Sequence, residues 1–187
     1  LFDTYAGCIA LAGAVSVPIT LRPQQSGRYE FDADELRRSI TSRTRMILLN
    51  SPHNPTGSVF TLQELQTIAS VAIEHDLIVI SDEVYEHLVF DNKKHIPIAT
   101  LPGMFERTIT ISSGGKSFNT TGWKIGWACA PAPLINATRM AKLHTGRHKC
   151  LTAYRSYHGS TAGAIALTTN GTQRQREIYP ETKGIVV

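Results

Sequence analysis

The chain has 187 residues, enough for one sizeable hydrophobic core or for a core with part of a second unit. Apolar residues at 42% and charged residues at 18% exclude a disordered chain, and a net charge of +4 without a dense basic block excludes a nucleic-acid stripe. Three cysteines, Cys8, Cys129 and Cys150, lack Cys-x-x-Cys spacing and exclude a closed disulfide framework, while no apolar run has bilayer-spanning length.

In chain order, residues 2–12 carry Tyr5, Ile9 and Leu11 among small residues and predict a short helix ending near Gly13. The alternation over residues 14–21 predicts a strand, which Pro18 puts at a sheet edge. Residues 22–30 are polar and turn-rich. Residues 32–40 predict a helix with acids in its first turn and arginines in its last, the order that the helix dipole favours.

Residues 44–50 form an apolar run of strand length, stopped by the loop signal Ser51-Pro-His-Asn-Pro-Thr-Gly57. Thr61 and Glu64 predict a capping box, and Leu62, Leu65, Ile68, Ala69 and Ala72 the apolar stripe of a helix that ends near Asp76. A buried strand over residues 77–80 then runs into Ser81-Asp-Glu-Val-Tyr85. Two further runs, 107–111 and 125–130, read as buried strands on either side of a polar turn that holds Lys116 among the hydroxyls of Ser112, Ser113, Ser117, Thr120 and Thr121.

Strand, helix, strand, loop, strand is the grammar of an α/β fold with a largely parallel sheet, whose ligands collect at the carboxyl ends of the strands. Asn54, Asp82, Tyr85 and Lys116 fall at such ends. An aspartate after a buried strand needs a cation, which a protonated ring nitrogen provides. Asn54 and Tyr85 can hydrogen-bond a phenolate oxygen, although a turn cap and a core tyrosine are equally simple readings of them. A lysine in an apolar site can condense with an aldehyde. Ring cation, phenolate and aldehyde together describe pyridoxal 5'-phosphate. A P-loop reading of Gly114-Gly-Lys-Ser117 fails because Thr110 stands where its first glycine belongs. No metal site is expected.

Ser51-Pro-His-Asn-Pro-Thr-Gly57, Ser81-Asp-Glu-Val-Tyr85 and the run from Ser112 through Lys116 and Lys124 to Trp127 resemble, in order and spacing, the signature segments of class I aminotransferases of fold type I. The resemblance covers residues 2 to about 135 and is nearest to the branch of kynurenine–glutamine and succinyldiaminopimelate aminotransferases. It implies an α-β-α sandwich with a mostly parallel sheet, here an incomplete large domain, and transfer of an amino group between an amino acid and a 2-oxo acid. It further implies that Lys116 forms the internal aldimine and moves the proton, that Asn54 and Tyr85 bind the ring oxygen, and that Asp82 pairs with the ring nitrogen. Ser113 and Lys124 would hold the phosphate, Lys124 replacing a more usual Arg, and Phe2 would stack on the ring. A cytoplasmic homodimer is the expected form. A carbon–sulfur β-lyase and a non-catalytic remnant share these motifs.

Residues 136–187 resemble instead a class III aminotransferase segment around Tyr157-His-Gly159, with a local turn an equal reading of Tyr157 and His158. The family's N-terminal phosphate-binding turn and its C-terminal small domain, with a carboxylate-gripping arginine, are not found in these residues. Leu1 in place of an initiator Met and the apolar run at residues 184–187 read as cut ends.

Overall fold

A computed structural model describes residues 3–136, so Phe2 and the whole segment from residue 137, with Tyr157 and His158, lie outside the described residues. The chain divides into two compact units, Leu1–Thr110 and Ile111–Val187.

The first unit opens with helix α1 (Asp3–Leu11), as the small-residue pattern predicts, closed by Gly13 N donating to the Ala10 carbonyl at 3.0 Å. The strand expected over residues 14–21 does not form. Ile19 and Leu21 lie partly buried against the core, while Val15 and Val17 are 88% and 62% exposed. Alternation reports a chain with one side on the core. It does not supply a partner ladder, and Pro18 has no N–H to give one.

The turn-rich segment that follows closes as a minimal antiparallel hairpin, β1 (Arg22–Pro23) with β2 (Tyr29–Glu30), pairing Arg22 with Glu30 and Pro23 with Tyr29. Helix α2 (Ala33–Ser39) starts where Asp32 accepts hydrogen bonds from the backbone N–H groups of Asp34 and Glu35 at 2.8 and 3.3 Å. Its acids and arginines sit at the ends that the dipole favours.

Strands β3 (Met46–Asn50) and β4 (Ile78–Asp82) pair in parallel, with Met46 opposite Ile78 and Asn50 opposite Asp82. A parallel pair needs a crossover, and helix α3 (Leu62–Glu74) provides it. The capping box is formed at its start: Thr61 N donates to Glu64 Oε2 at 2.7 Å, and Glu64 N to Thr61 Oγ1 at 3.3 Å. At its end Asp76 takes a left-handed φ of 49°, and Leu77 N and Asp76 N reach back to the carbonyls of Ala72 and Ile73. Those two bonds satisfy the last turn as a Schellman motif.

Leu65, Ile68, Ala69, Val71 and Ala72 on α3 pack in one buried cluster with Leu36, Leu49, Phe60, Leu77, Val79, Ile98 and Met104. Each large aliphatic side chain buried this way contributes about 1.5–3 kcal/mol. This core fixes the carboxyl ends of β3 and β4.

Strand β5 (Thr108–Ser113) crosses the division between the units. In the second unit it feeds the single-turn helix α4 (Gly114–Ser117), a tight turn at Thr121–Trp123 and strand β6 (Gly126–Cys129). A Cβ on Gly126 would stand 2.9 Å from the Ser112 carbonyl, so glycine lets the two strands approach. The sequence leads one to expect β6 to be buried, yet all four of its residues are exposed. Apolar content states what a strand can bury, and covering it takes another surface.

Candidate functional site

Within the first unit, the carboxyl ends of β3 and β4 are tied by side chains. Asn50 Nδ2 donates to the Asp82 carbonyl at 3.0 Å, Ser51 N donates to the same oxygen at 3.2 Å, and Asn54 N donates to Asn50 Oδ1 at 2.9 Å. Asn50 therefore sets the loop that carries Asn54 against the strand end that carries Asp82. The side-chain amide of Asn54 makes no hydrogen bond among the described residues and remains a donor for a ligand.

The loop itself is held internally: His53 N donates to the Ser58 carbonyl and Gly57 N to that of His53, both at 2.8 Å. His53 Nδ1 lies 2.9 Å from Thr56 Oγ1, and burial lowers the pKa of the imidazole below its usual value. Ser51-Pro52 and Asn54-Pro55 are both cis.

The Asp82 carboxylate has a partner on each oxygen. Val84 N donates to Oδ1 at 3.2 Å, and the Tyr5 hydroxyl, from α1, donates to Oδ2. Burial, then the bond to Asp82 and its negative charge, push the Tyr5 hydroxyl far above the ordinary phenol range, so it stays a donor. Tyr85 is half-buried, three residues past Asp82, and its carbonyl closes a turn with Leu88 N at 2.8 Å. Asn54, Asp82 and Tyr85 are thus brought to one end of the β3–β4 pair. Sequence reading missed Asn50 and Tyr5. A polar residue closing an apolar strand run was a usable signal for Asn50, whereas Tyr5 read as part of an apolar stripe.

In the second unit, Ser113 caps α4: its Oγ accepts from Gly115 N at 3.2 Å and donates to the Ile125 carbonyl at 3.3 Å. Thr120 Oγ1 donates to the Gly114 carbonyl at 2.8 Å and Thr121 Oγ1 to that of Gly115 at 3.0 Å. These hydroxyls pin the turn on which Lys116 stands exposed. A Cβ on Gly114 would meet the Ile125 side chain at 2.9 Å, so a larger residue there requires Ile125 to shift. Ser117 Oγ is buried without a hydrogen-bond partner among the described residues. Lys124 is exposed and left-handed at φ 51°. Ser113 and Lys116 share the α4 turn, and Lys124 lies one residue before Ile125, whose carbonyl Ser113 holds.

Each unit's donor set, taken by itself, suits part of a pyridoxal phosphate: in the first, a carboxylate suits a ring N–H and an unused amide a ring oxygen; in the second, an amine suits an aldehyde, and a second cation with hydroxyls suits a phosphate. Among the described residues no group of three His, Cys, Asp or Glu side chains could hold a metal ion, and no helix is long and apolar enough to cross a membrane. His144 and His148, four residues apart, lie outside those residues.

Residues 1–169 match the family model described as aminotransferase class I and II, a match that runs past Ile135 and includes Tyr157 and His158. The chain is 51% identical over 172 residues to the probable N-succinyldiaminopimelate aminotransferase DapC of Mycobacterium tuberculosis, covering 90% of this chain and 41% of that protein. It is 51% identical over 141 residues to kynurenine–oxoglutarate transaminase 3 of Mus musculus, covering 72% of this chain and 31% of that protein. The solved structure of N-succinyldiaminopimelate aminotransferase from Mycobacterium tuberculosis superposes with a TM-score of 0.73 and 54% identity, over 78% of this chain and 38% of that one. The chain therefore spans less than half the length of these relatives.

Proposed function

Because the chain belongs to the class I and II aminotransferase family and its described residues form part of the fold type I large domain, we propose that it supplies the pyridoxal 5'-phosphate site of an aminotransferase. The proposed reaction moves an amino group between an amino acid and a 2-oxo acid. When bound, the cofactor supplies an aldehyde and a ring that takes up electrons as a proton leaves the substrate carbon.

Every other requirement falls on the chain. Lys116 would hold the cofactor's aldehyde carbon through its Nζ, with water as the leaving group, and its amine, once released, would move the migrating proton. Asp82 accepts the hydrogen bond of the protonated ring nitrogen, and Asn54 and Tyr85 donate to the ring oxygen. Ser113 and Lys124 take the phosphate, with Lys124 acting as a point charge rather than a bidentate fork. Phe2 is assigned the ring face by resemblance alone. The left-handed backbone of Lys124 supports its assignment, since a non-glycine residue adopts it at a cost of about 1–2 kcal/mol and such residues gather at ligand sites.

The observation that carries the reading is the pinned turn of Lys116. Three hydroxyls, from Ser113, Thr120 and Thr121, are spent on the backbone of Gly114 and Gly115, which fixes the turn from which the Lys116 side chain extends. Addition of pyridoxal phosphate is expected to produce a visible absorbance band that survives dialysis, and Lys116→Ala is expected to abolish it. A band unchanged in Lys116→Ala would overturn the assignment.

We also propose that the protein acts as a homodimer. The exposure of Phe118, Trp123 and Trp127, at 66%, 68% and 39%, supports a covering surface for the second unit.

A further inference from the structure

One hydrogen bond near the proposed site has no place in the roles assigned above. The Tyr5 hydroxyl donates to Asp82 Oδ2, across 77 residues of sequence. Asp82 is the last residue of β4, and its backbone is already held by Asn50 Nδ2 and Ser51 N, while Oδ1 takes Val84 N. Without Tyr5, the carboxylate would be anchored at one oxygen and free to turn about its bond to the Cβ. With it, both oxygens are fixed, and each keeps a lone pair for a further donor. Tyr5 is half-buried, and burial with the neighbouring Asp82 holds its hydroxyl above the ordinary phenol range, so it stays a donor near neutral pH.

We infer that Tyr5 is a positioning residue of the cofactor site, fixing the Asp82 carboxylate so that it meets a protonated ring nitrogen in one orientation. The inference rests on the proposed cofactor reading and adds to it a residue on α1 that acts through Asp82. Its energetic effect is specific: Tyr5 matters to a ligand with a ring N–H and is indifferent to a ligand of the same shape without one. A residue that merely packed against β4 would affect both ligands alike.

The test compares pyridoxal phosphate with its carbocyclic analogue, in which CH replaces the ring nitrogen, by equilibrium dialysis against the parent protein and Tyr5→Phe. Removal of one hydrogen bond to a charged group is expected to weaken pyridoxal phosphate binding about tenfold. The analogue is expected to bind the two proteins within about twofold of each other. Equal losses for both ligands, or no loss for either, would overturn the assignment of Tyr5 and leave the cofactor reading intact. Failure of the parent protein to bind pyridoxal phosphate would overturn both.

Discussion

Glu83 lies between Asp82 and Tyr85 in sequence but serves the protein rather than a ligand. It is 1% exposed, and its carboxylate is held by Ser81 Oγ at 2.8 Å and by His95 Nε2 at 2.7 Å. A buried carboxylate is tolerated only with such partners. The His95 side chain is 8% exposed, and its Nδ1 has no hydrogen-bond partner among the described residues, so the pair sits at the edge of satisfaction. Replacing His95 with Ala removes a donor and leaves the Glu83 oxygen unsatisfied. Urea unfolding is expected to show a loss of about 1–3 kcal/mol. His95→Ala with an unchanged unfolding midpoint would show that water replaces the imidazole. Division of labour between neighbouring acids, one proposed to face a ligand and one tied to the frame, is what residue-level burial separates and residue type does not.

At the scale of the element, the N-terminus of α2 makes the pH dependence of the fold concrete. The backbone N–H groups of Asp34 and then Glu35 hold the Asp32 carboxyl below the usual carboxylate range. As pH falls, the unfolded chain takes up this proton first, so the stabilisation is present above the ordinary carboxylate pKa and is lost as pH drops through the lowered folded value. Asp32→Asn keeps a capping oxygen and removes the titration. Thermal unfolding across an acid series is expected to show stability like that of the parent near neutrality and a shallower acid limb. An equally steep limb would assign the acid sensitivity elsewhere.

The elements legible in sequence were those with a local physical cause. The Thr61–Glu64 box, the 3.6-residue stripe of α3 and the apolar runs of β3 and β4 each carry their signal within a few residues. Residues 14–21 misled because a strand needs a partner that local pattern does not contain. The positions of Asn54, Asp82, Tyr85 and Lys116 were legible as polar residues at or shortly after the ends of apolar runs. What bonds to them was not: Tyr5 and Asp82 meet across 77 residues, and Asn50 shows its role only in register with Asp82.

At the scale of the molecule, the proposed homodimer is tested directly. Sedimentation equilibrium is expected to return twice the chain mass over a range of protein concentrations, and a concentration-independent monomer would remove the dimer from the account. A second whole-molecule consequence lies in Arg28. Its guanidinium joins Glu30 of the hairpin at 2.8 Å, the Val59 carbonyl at 3.3 Å and the carboxylate of Glu64, the same side chain that completes the α3 capping box. Next to it, Tyr29 N donates to Ser58 Oγ at 3.1 Å, and the Ser58 carbonyl receives His53 N from the loop that holds Asn54. Hairpin, helix start and the loop of Asn54 are thus joined by one chain of bonds, which is expected to make them open together. On that account the loop of the proposed site takes its resistance to local opening from the start of a helix whose apolar cluster includes none of residues 51–57.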